Sequence, residues 1–200
     1  MKITSVEYIK GVPRWQDAPG DGFPEVAMIG RSNVGKSSLI NFLLGRKMAY
    51  VSKKPGKTQL IHFFLINRAF YLVDLPGYGY SKASKLIRTG WGPMVESYFL
   101  NRKTLRAVSL LIDIRHPEMP IDLRMKEWLE YHRMKTLFIA TKGDKLSRGK
   151  GQKQMDIMKH FFGISKLVAT SSLKKEGKVD VWKTIGAAIS KKQNSRADFE

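Results

Sequence analysis

The tightest constraint on this chain is one glycine-bounded stretch, Gly30-Arg31-Ser32-Asn33-Val34-Gly35-Lys36-Ser37. It begins where a short apolar strand, Glu25–Ile29, ends. It runs into helical spacing over Lys36–Leu44, with Leu39, Ile40, Leu43 and Leu44 on one side and Gly45 as the stop. A strand that becomes a helix through such a loop turns backbone N–H groups inward on a phosphate. The helix N-terminus faces the same negative charge. The two residues that close the stretch fit that chemistry: Lys36 reaches β and γ phosphates, and the Ser37 hydroxyl ligates Mg²⁺. A plain glycine turn at a helix start is the competing reading, and the strand–loop–helix context argues against it.

Such a unit needs a sheet to sit on, and the rest of the chain supplies one. Strands are expected at about 59–66, 70–73, 107–112, 136–140 and 167–169, and helices at about 93–102, 122–132, 151–162 and 179–191. Strands alternating with helices imply a mostly parallel sheet covered on both faces. The strands at 59–66 and 70–73 are separated by the turn-like Asn67-Arg68, so one of them should run antiparallel. The expected fold is α/β: a three-layer sandwich of a six-stranded sheet with one antiparallel strand and helices on both faces. Residues 1–24 read as a short strand and an irregular lead-in, residues 25–192 as one domain, and the polar 193–200 as a frayed tail. Loops fall at 46–58 and from Pro76 to about Gly92.

Charge narrows the partners. Lys and Arg number 36 against 17 Asp and Glu, a net charge of +19. That surface attracts polyanions. Positive charge is densest in residues 141–200, with 14 basic against 6 acidic residues. Further clusters are Lys53, Lys54 and Lys57, and Lys82, Lys85 and Arg88. The chain has no cysteine, which excludes disulfides, Cys-ligated zinc, iron–sulfur clusters and a thiol nucleophile. No apolar run approaches the ~20 residues of a membrane span, and no signal peptide is visible, so a cytoplasmic protein without membrane insertion is expected. His62, His116, His132 and His160 lack metal-ligand spacing and read as structural or surface groups. Trp91 and Trp128 should pack in or near the core, Trp182 on the inner face of the last helix, and Met125, Met155 and Met158 in the core.

Two further motifs follow in order. Asp74-Leu75-Pro76-Gly77 ends a buried strand 37 residues after Ser37, and ligands of such sheets bind at the C-terminal strand ends. Asp74 would stand behind the Mg²⁺ through a water, and the Gly77 N–H could meet the γ-phosphate. Thr141-Lys142-Gly143-Asp144 also follows a buried strand. Guanine presents two adjacent donors, its ring N–H and its exocyclic amine, and one carboxylate accepts both. Adenine presents a ring acceptor there, which would leave Asp144 unpaired. The Lys142 stem can lie along the purine face. Three motifs in this order point to a binder of GTP and GDP.

These motifs resemble those of the translation-factor-like branch of P-loop GTPases, with the Ras-like fold. The resemblance sharpens on Gly30 to Ser38, on Lys-Pro-Gly-Lys-Thr-Gln at 54–59, on Asp-Leu-Pro-Gly-Tyr-Gly-Tyr at 74–80 and on Trp91-Gly92. Together they are similar to the EngB (YihA/YsxC) family of bacterial ribosome-assembly GTPases, over about residues 5–190. The resemblance implies that Thr58 is the switch threonine that ligates Mg²⁺ and senses the γ-phosphate. Gly56, Lys57, Thr58, Gln59 and Leu60 would form the first switch, and Asp74 to about Trp91 the second. Thr170, Ser171 and Ser172 would touch the guanine carbonyl oxygen through their backbone. Lys36, Thr58 and Gly77 are then the residues closest to the chemistry, which is hydrolysis of GTP to GDP and phosphate.

The chain departs from the general pattern at two places. Thr141 stands where Asn is usual, and its shorter side chain is expected to tether the phosphate loop less well. Tyr78 stands where Ras-like proteins carry a water-positioning Gln, so intrinsic hydrolysis is expected to be slow. Asn33 has two readings: a ligand for K⁺ that adds charge to the transition state, or a residue suited to a tight turn. Arg31 and Arg88 also have two, as charge stabilisers or as surface groups.

The first functional reading is a monomeric nucleotide switch that docks on a large ribosomal subunit precursor and its rRNA. By resemblance it is linked to cell division and septation. Two rivals stand beside it. One is an ATP-using phosphotransferase, against which Asp144 argues. The other is a basic RNA-binding adaptor with a structural nucleotide.

Overall fold

A computed structural model describes residues 1–49, 60–79 and 92–190. Seven strands form one sheet: β1 (Val6–Val12), β2 (Glu25–Gly30), β3 (Ile61–Ile66), β4 (Phe70–Asp74), β5 (Leu105–Asp113), β6 (Thr136–Thr141) and β7 (Val168–Ala169). Their spatial order is β1-β3-β4-β2-β5-β6-β7. β2 pairs parallel with β4 and β5, β5 with β6, and β6 with β7. Only β3 runs against its neighbours, pairing antiparallel with both β1 and β4. The six strands expected from the sequence are β2 to β7. β1 makes a seventh, because the lead-in strand adds to the free edge of β3 instead of standing apart from the domain.

Burial explains the order. Every residue of β2 and β4 is buried, as is β5 from Ala107 onward. Such strands read as continuous apolar runs because helices cover both their faces. β1 sits at the edge with a mostly exposed middle, and its register slips between Tyr8 and Lys10. A bulge and an outward lysine are common ways to blunt a free edge. The β3–β4 turn uses left-handed Asn67 (φ 51°) and Arg68 (φ 50°), as the expected hairpin requires.

The helices are α1 (Lys36–Leu44), α2 (Pro93–Asn101), α3 (Pro120–Tyr131), α4 (Arg148–Phe162) and α5 (Lys178–Ser190). Val95, Tyr98 and Phe99 of α2, Met125 and Leu129 of α3, and Met158 and Phe162 of α4 share one apolar cluster. Leu39, Ile40, Leu43 and Leu44 of α1, and Val181, Trp182, Ile185 and Ala188 of α5, build the cluster on the other face. α3 begins two residues earlier than the periodicity predicts, because Pro120 takes a first-turn position where its missing N–H costs nothing. α4 also begins earlier, so Gly149 and Gly151 lie inside the helix.

A carboxylate network closes the lower end of the sheet. Glu25 is fully buried at the start of β2. Its oxygens accept from the Tyr98 hydroxyl (2.6 Å), Arg102 Nε (2.7 Å) and the Thr104 hydroxyl (2.7 Å). Arg102 also donates to the Pro19 carbonyl, and Tyr71 donates to Asp21 at 2.6 Å, so the lead-in is fastened to the core. No helix among the described residues is long and apolar enough to cross a membrane.

Candidate functional site

The site forms at the opposite end, where β2, β4, β5 and β6 finish. β2 leaves the sheet at Gly30. A Cβ there would stand 2.8 Å from the Leu111 carbonyl oxygen and 2.9 Å from Val34 Cγ1, so the strand can part from β5 only with glycine. Gly35 turns the chain into α1 with φ 101°, a left-handed conformation that side chains resist. Val34 is buried and Ser38 exposed, so the loop presents backbone, not apolar side chains, to its mouth.

Tyr78, Thr141 and Lys142, all outside this loop, hold its backbone. The Ser32 N–H donates to the Tyr78 carbonyl at 2.8 Å. The Thr141 hydroxyl donates to the Val34 carbonyl at 2.7 Å. Lys142 Nζ donates to the Asn33 carbonyl at 2.6 Å. Thr141 thus reaches the loop: β6 brings its short hydroxyl within direct hydrogen-bond distance. Asn33 has φ 65°, which satisfies its tight-turn reading.

Lys36 pairs with Asp74, and both side chains are largely withdrawn from water. Asp74 ends β4 opposite His62 of β3. Burial lowers the His62 pKa, Lys36 lowers it further, and Asp74 opposes them. His62 shares a hydrogen bond with the Tyr8 hydroxyl at 3.2 Å, which suits its structural reading. Beyond Asp74, Leu75 is buried and its N–H donates to the Met28 carbonyl. Pro76 is partly exposed and Gly77 exposed. A Cβ on Gly77 would lie 3.2 Å from the Gly30 carbonyl oxygen and 3.3 Å from the Ser32 nitrogen, so this loop lies directly on the phosphate loop.

The Thr141–Asp144 motif starts at the last residue of β6. Gly143 N–H donates to the Thr170 carbonyl at 2.9 Å, and the Thr170 hydroxyl to the Ala140 carbonyl at 3.0 Å. Asp144 accepts from the Ser171 hydroxyl at 2.8 Å through Oδ1, while Lys145 stands 3.4 Å from Oδ2. Burial raises the Asp144 pKa. Ser171, its own backbone amide and Lys145 together outweigh that and hold the carboxyl below its ordinary range. Ser171 and Glu176 close a small hairpin through paired backbone bonds, with Ser172 partly exposed in it. Gly177 follows against the backbone, where a Cβ would overlap the Ala169 carbonyl oxygen.

The fold thus brings together residues from 30–38, 74–77, 141–144 and 170–172. Leu60, partly exposed, lies just before β3. Gly56, Lys57, Thr58 and Gln59, together with Trp91, Arg88 and the lysine clusters at 53–57 and 82–85, lie outside the described residues. Arg31 is not a free surface group: its Nε donates to Asp122 at 2.9 Å.

Two buried carboxylates were missed in the sequence. Asp113 ends β5 and accepts from Arg115 (2.7 and 2.9 Å) and Lys142 (2.8 Å). Burial raises its pKa, but the bonds from Arg115 and Lys142 dominate and hold it at about 2. Lys142 is so fixed flat across the phosphate loop, its stem 3.6 Å from a Cβ placed on Gly35. Asp122, in the first turn of α3, accepts from the Tyr78 hydroxyl at 2.7 Å. Burial, then Asp122, raises the Tyr78 phenol well above its ordinary pKa. Burial raises Asp122 against the pull of Tyr78 and Arg31. Asp113 carried a usable signal, a lone acid closing an apolar strand at a ligand-binding end. Asp122 carried none, since an acid in a first helical turn is ordinary.

Comparison with known proteins decides the class. Residues 25–142 match a family described as 50S ribosome-binding GTPase. A "Probable GTP-binding protein EngB" of Bacillus cytotoxicus is 44% identical over 189 residues, covering 92% of this chain and 96% of the relative. One from Clostridium perfringens is 48% identical over 182 residues, covering 89% and 92%. The chain belongs to the EngB family of GTP-binding proteins. Among solved structures, a probable EngB protein superposes with TM-score 0.66 at 22% identity, covering 82% of this chain and 98% of that one. Aquifex aeolicus Era with bound GDP and AlF₄⁻ superposes with TM-score 0.67 at 25% identity, covering 84% and 57%. As an EngB protein this chain binds GTP and GDP and is a GTP-hydrolysing enzyme. The phosphotransferase rival falls on that membership.

Proposed function

We propose that this EngB protein is a guanine-nucleotide switch that serves assembly of the large ribosomal subunit. The observation that carries the reading is the match of residues 25–142 to a family described as 50S ribosome-binding GTPase. The net charge of +19 supports it, since rRNA is a polyanion.

In this reading the phosphates are held by the start of α1 and by backbone amides of the Gly30–Ser37 loop other than those of Ser32 and Val34, which donate to the Tyr78 and Arg31 carbonyls. Lys36 neutralises charge on the phosphates, and the Gly77 N–H meets the γ-phosphate. Asp144 accepts both guanine donors, Lys142 covers one face of the base, and the Thr170–Ser172 backbone meets the carbonyl oxygen. A hydroxyl and a buried carboxylate are the hard oxygen donors that Mg²⁺ takes. Ser37 and Thr58 would hold it directly and Asp74 through a water. When bound, it supplies positive charge against the β- and γ-phosphate oxygens. Tyr78 has its hydroxyl committed to Asp122 and orients no water, so intrinsic turnover is slow. Asn33 would hold K⁺ if that ion takes part, and it would then supply positive charge to the transition state; equal hydrolysis in KCl and NaCl at one ionic strength would remove that element. Binding of GTP holds Thr58 and Gly77, which orders the two basic loops, and hydrolysis releases the subunit. The protein acts as a cytoplasmic monomer, with its link to cell division and septation downstream of ribosome supply.

Co-sedimentation with large ribosomal subunits tests this, with a non-hydrolysable GTP analogue against GDP at two salt concentrations. The switch predicts pelleting with the analogue, none with GDP, and weaker binding at higher salt. Equal pelleting in both states would favour the RNA-binding adaptor. No pelleting at all would leave a GTPase that does not bind this subunit.

A further inference from the structure

The loop after β4 and the phosphate loop share one buried anchor on α3. Tyr78 is attached at three points. Its N–H donates to the Gly30 carbonyl at 3.2 Å, its carbonyl accepts from the Ser32 N–H at 2.8 Å, and its hydroxyl reaches Asp122 Oδ1 at 2.7 Å. Arg31, paired with Tyr78 across a parallel bridge, donates to the other oxygen, Asp122 Oδ2, at 2.9 Å. Asp122 itself is fully buried. Its two oxygens thus take one donor from each loop. Gly77, the residue before Tyr78, lies against the Gly30 carbonyl and the Ser32 nitrogen.

We propose that Asp122 is a positioning residue for GTP hydrolysis, which through Tyr78 and Arg31 fixes the Gly77 amide against the phosphate loop. The inference rests on the reading that the Gly77 N–H meets the γ-phosphate. Asp122 touches no substrate. Its effect is geometric: the anchored ring leaves residue 77 no freedom to rise from the loop without breaking a buried bond. Tyr78 is then a strut, which explains why a phenol can stand at this place although it cannot orient water. The same linkage makes α3 a route by which anything that displaces that helix would change hydrolysis.

The test compares the full-length wild type with Tyr78→Phe, Asp122→Asn and the double variant. Single-turnover GTP hydrolysis is read beside the affinities for GDP and for a non-hydrolysable GTP analogue. Tyr78→Phe removes one oxygen and keeps the ring, and should slow hydrolysis by about tenfold or more, because small displacements at a reacting centre are costly, while GDP affinity stays within about twofold. The analogue should lose more affinity than GDP, and the double variant should be no slower than the slower single one, as for residues of one unit. A Tyr78→Phe protein that hydrolyses GTP at the wild-type rate overturns the proposal, even if its melting temperature has dropped. Should Asp122→Asn fail to fold, Tyr78→Phe decides alone. A Tyr78→Phe protein that weakens GDP and the analogue equally, with hydrolysis unslowed, also overturns it. Failure of the underlying reading would show separately, in a Gly77→Ala protein whose analogue affinity and hydrolysis rate match the wild type.

Discussion

Glu25 below the sheet and Asp144 above it are both nearly withdrawn from water, yet their surroundings differ in kind. Glu25 gives one oxygen to Tyr98 and the other to Arg102 and Thr104, all within the fold. Asp144 accepts from Ser171 and from its own backbone amide, with Lys145 at 3.4 Å from one oxygen. A carboxylate has about four acceptor positions. The first carboxylate has its positions filled by its own chain, whereas the second keeps capacity for donors from elsewhere. Burial alone therefore does not mark a functional acid. Unfilled acceptor capacity at the C-terminal end of a parallel sheet is what singles out Asp144 for the proposed guanine contact.

The contrast breaks most sharply at Asp144. Asp144→Asn replaces an acceptor by an amide whose NH₂ would face the guanine donors. GDP affinity should fall by roughly 10³-fold or more while the melting temperature holds, because a polar group built to pair is left unpaired. Titration with labelled GDP reads this, and a xanthine nucleotide, with an oxygen in place of the amine, should recover binding. Retained GDP affinity would put base selection elsewhere.

Glu25→Gln should behave in the opposite way. It strands Arg102 in the core and should cost about 3–5 kcal/mol of stability, with GDP affinity of the folded fraction unchanged. Chemical denaturation beside GDP titration separates the two quantities. A loss of affinity in folded protein would undo the distinction between the two ends.

Asp113 sharpens the comparison by pH. Its folded pKa of about 2 lies below the ordinary value of 3.8, so its stabilisation is fully present above pH 3.8 and is lost as pH falls towards 2. Relative to Asp113→Asn, the wild type should gain about 2 kcal/mol near neutrality, with the difference vanishing across that acid window. A difference independent of pH would mean that shape, not charge, holds Lys142. The smallest effect is expected at Thr141→Val, which leaves the Val34 carbonyl without its donor. GDP affinity should drop by about 1–2 kcal/mol, or roughly 5- to 30-fold, with β6 intact. An unchanged affinity would show that Lys142 and Tyr78 hold the loop by themselves.

Much of the upper end was legible from residues alone. The phosphate loop, Asp74 and Asp144 are read because each sits where a buried apolar strand stops, and the stops of β2, β4 and β6 are sharp. α1 is bounded as its spacing requires, since its apolar residues and Gly45 agree. What escaped was long-range pairing. Tyr78 and Asp122 are 44 positions apart, and nothing local links them. Arg31 reads as a loop cation until α3 brings a carboxylate under it. Glu25 opens an apolar strand and looks like an exposed start, because its partners come from α2 and the turn after it. The place of the seventh strand in the sheet escaped for a similar reason: β1 is mostly exposed and joins only because β3 offers an edge.

The proposed base pocket closes late in synthesis. Its lip, Thr170 and Ser171, is made long after the phosphate loop, and the Gly143 and Asp144 bonds that complete it need that segment in place. A growing chain that has emerged only as far as β6 carries phosphate-binding amides but no finished seat for guanine. On the proposed base contacts, full affinity for guanine nucleotide is therefore a property of the completed domain. The nucleotide rewards finished molecules and leaves partial ones unstabilised, because a ligand stabilises only the form that binds it.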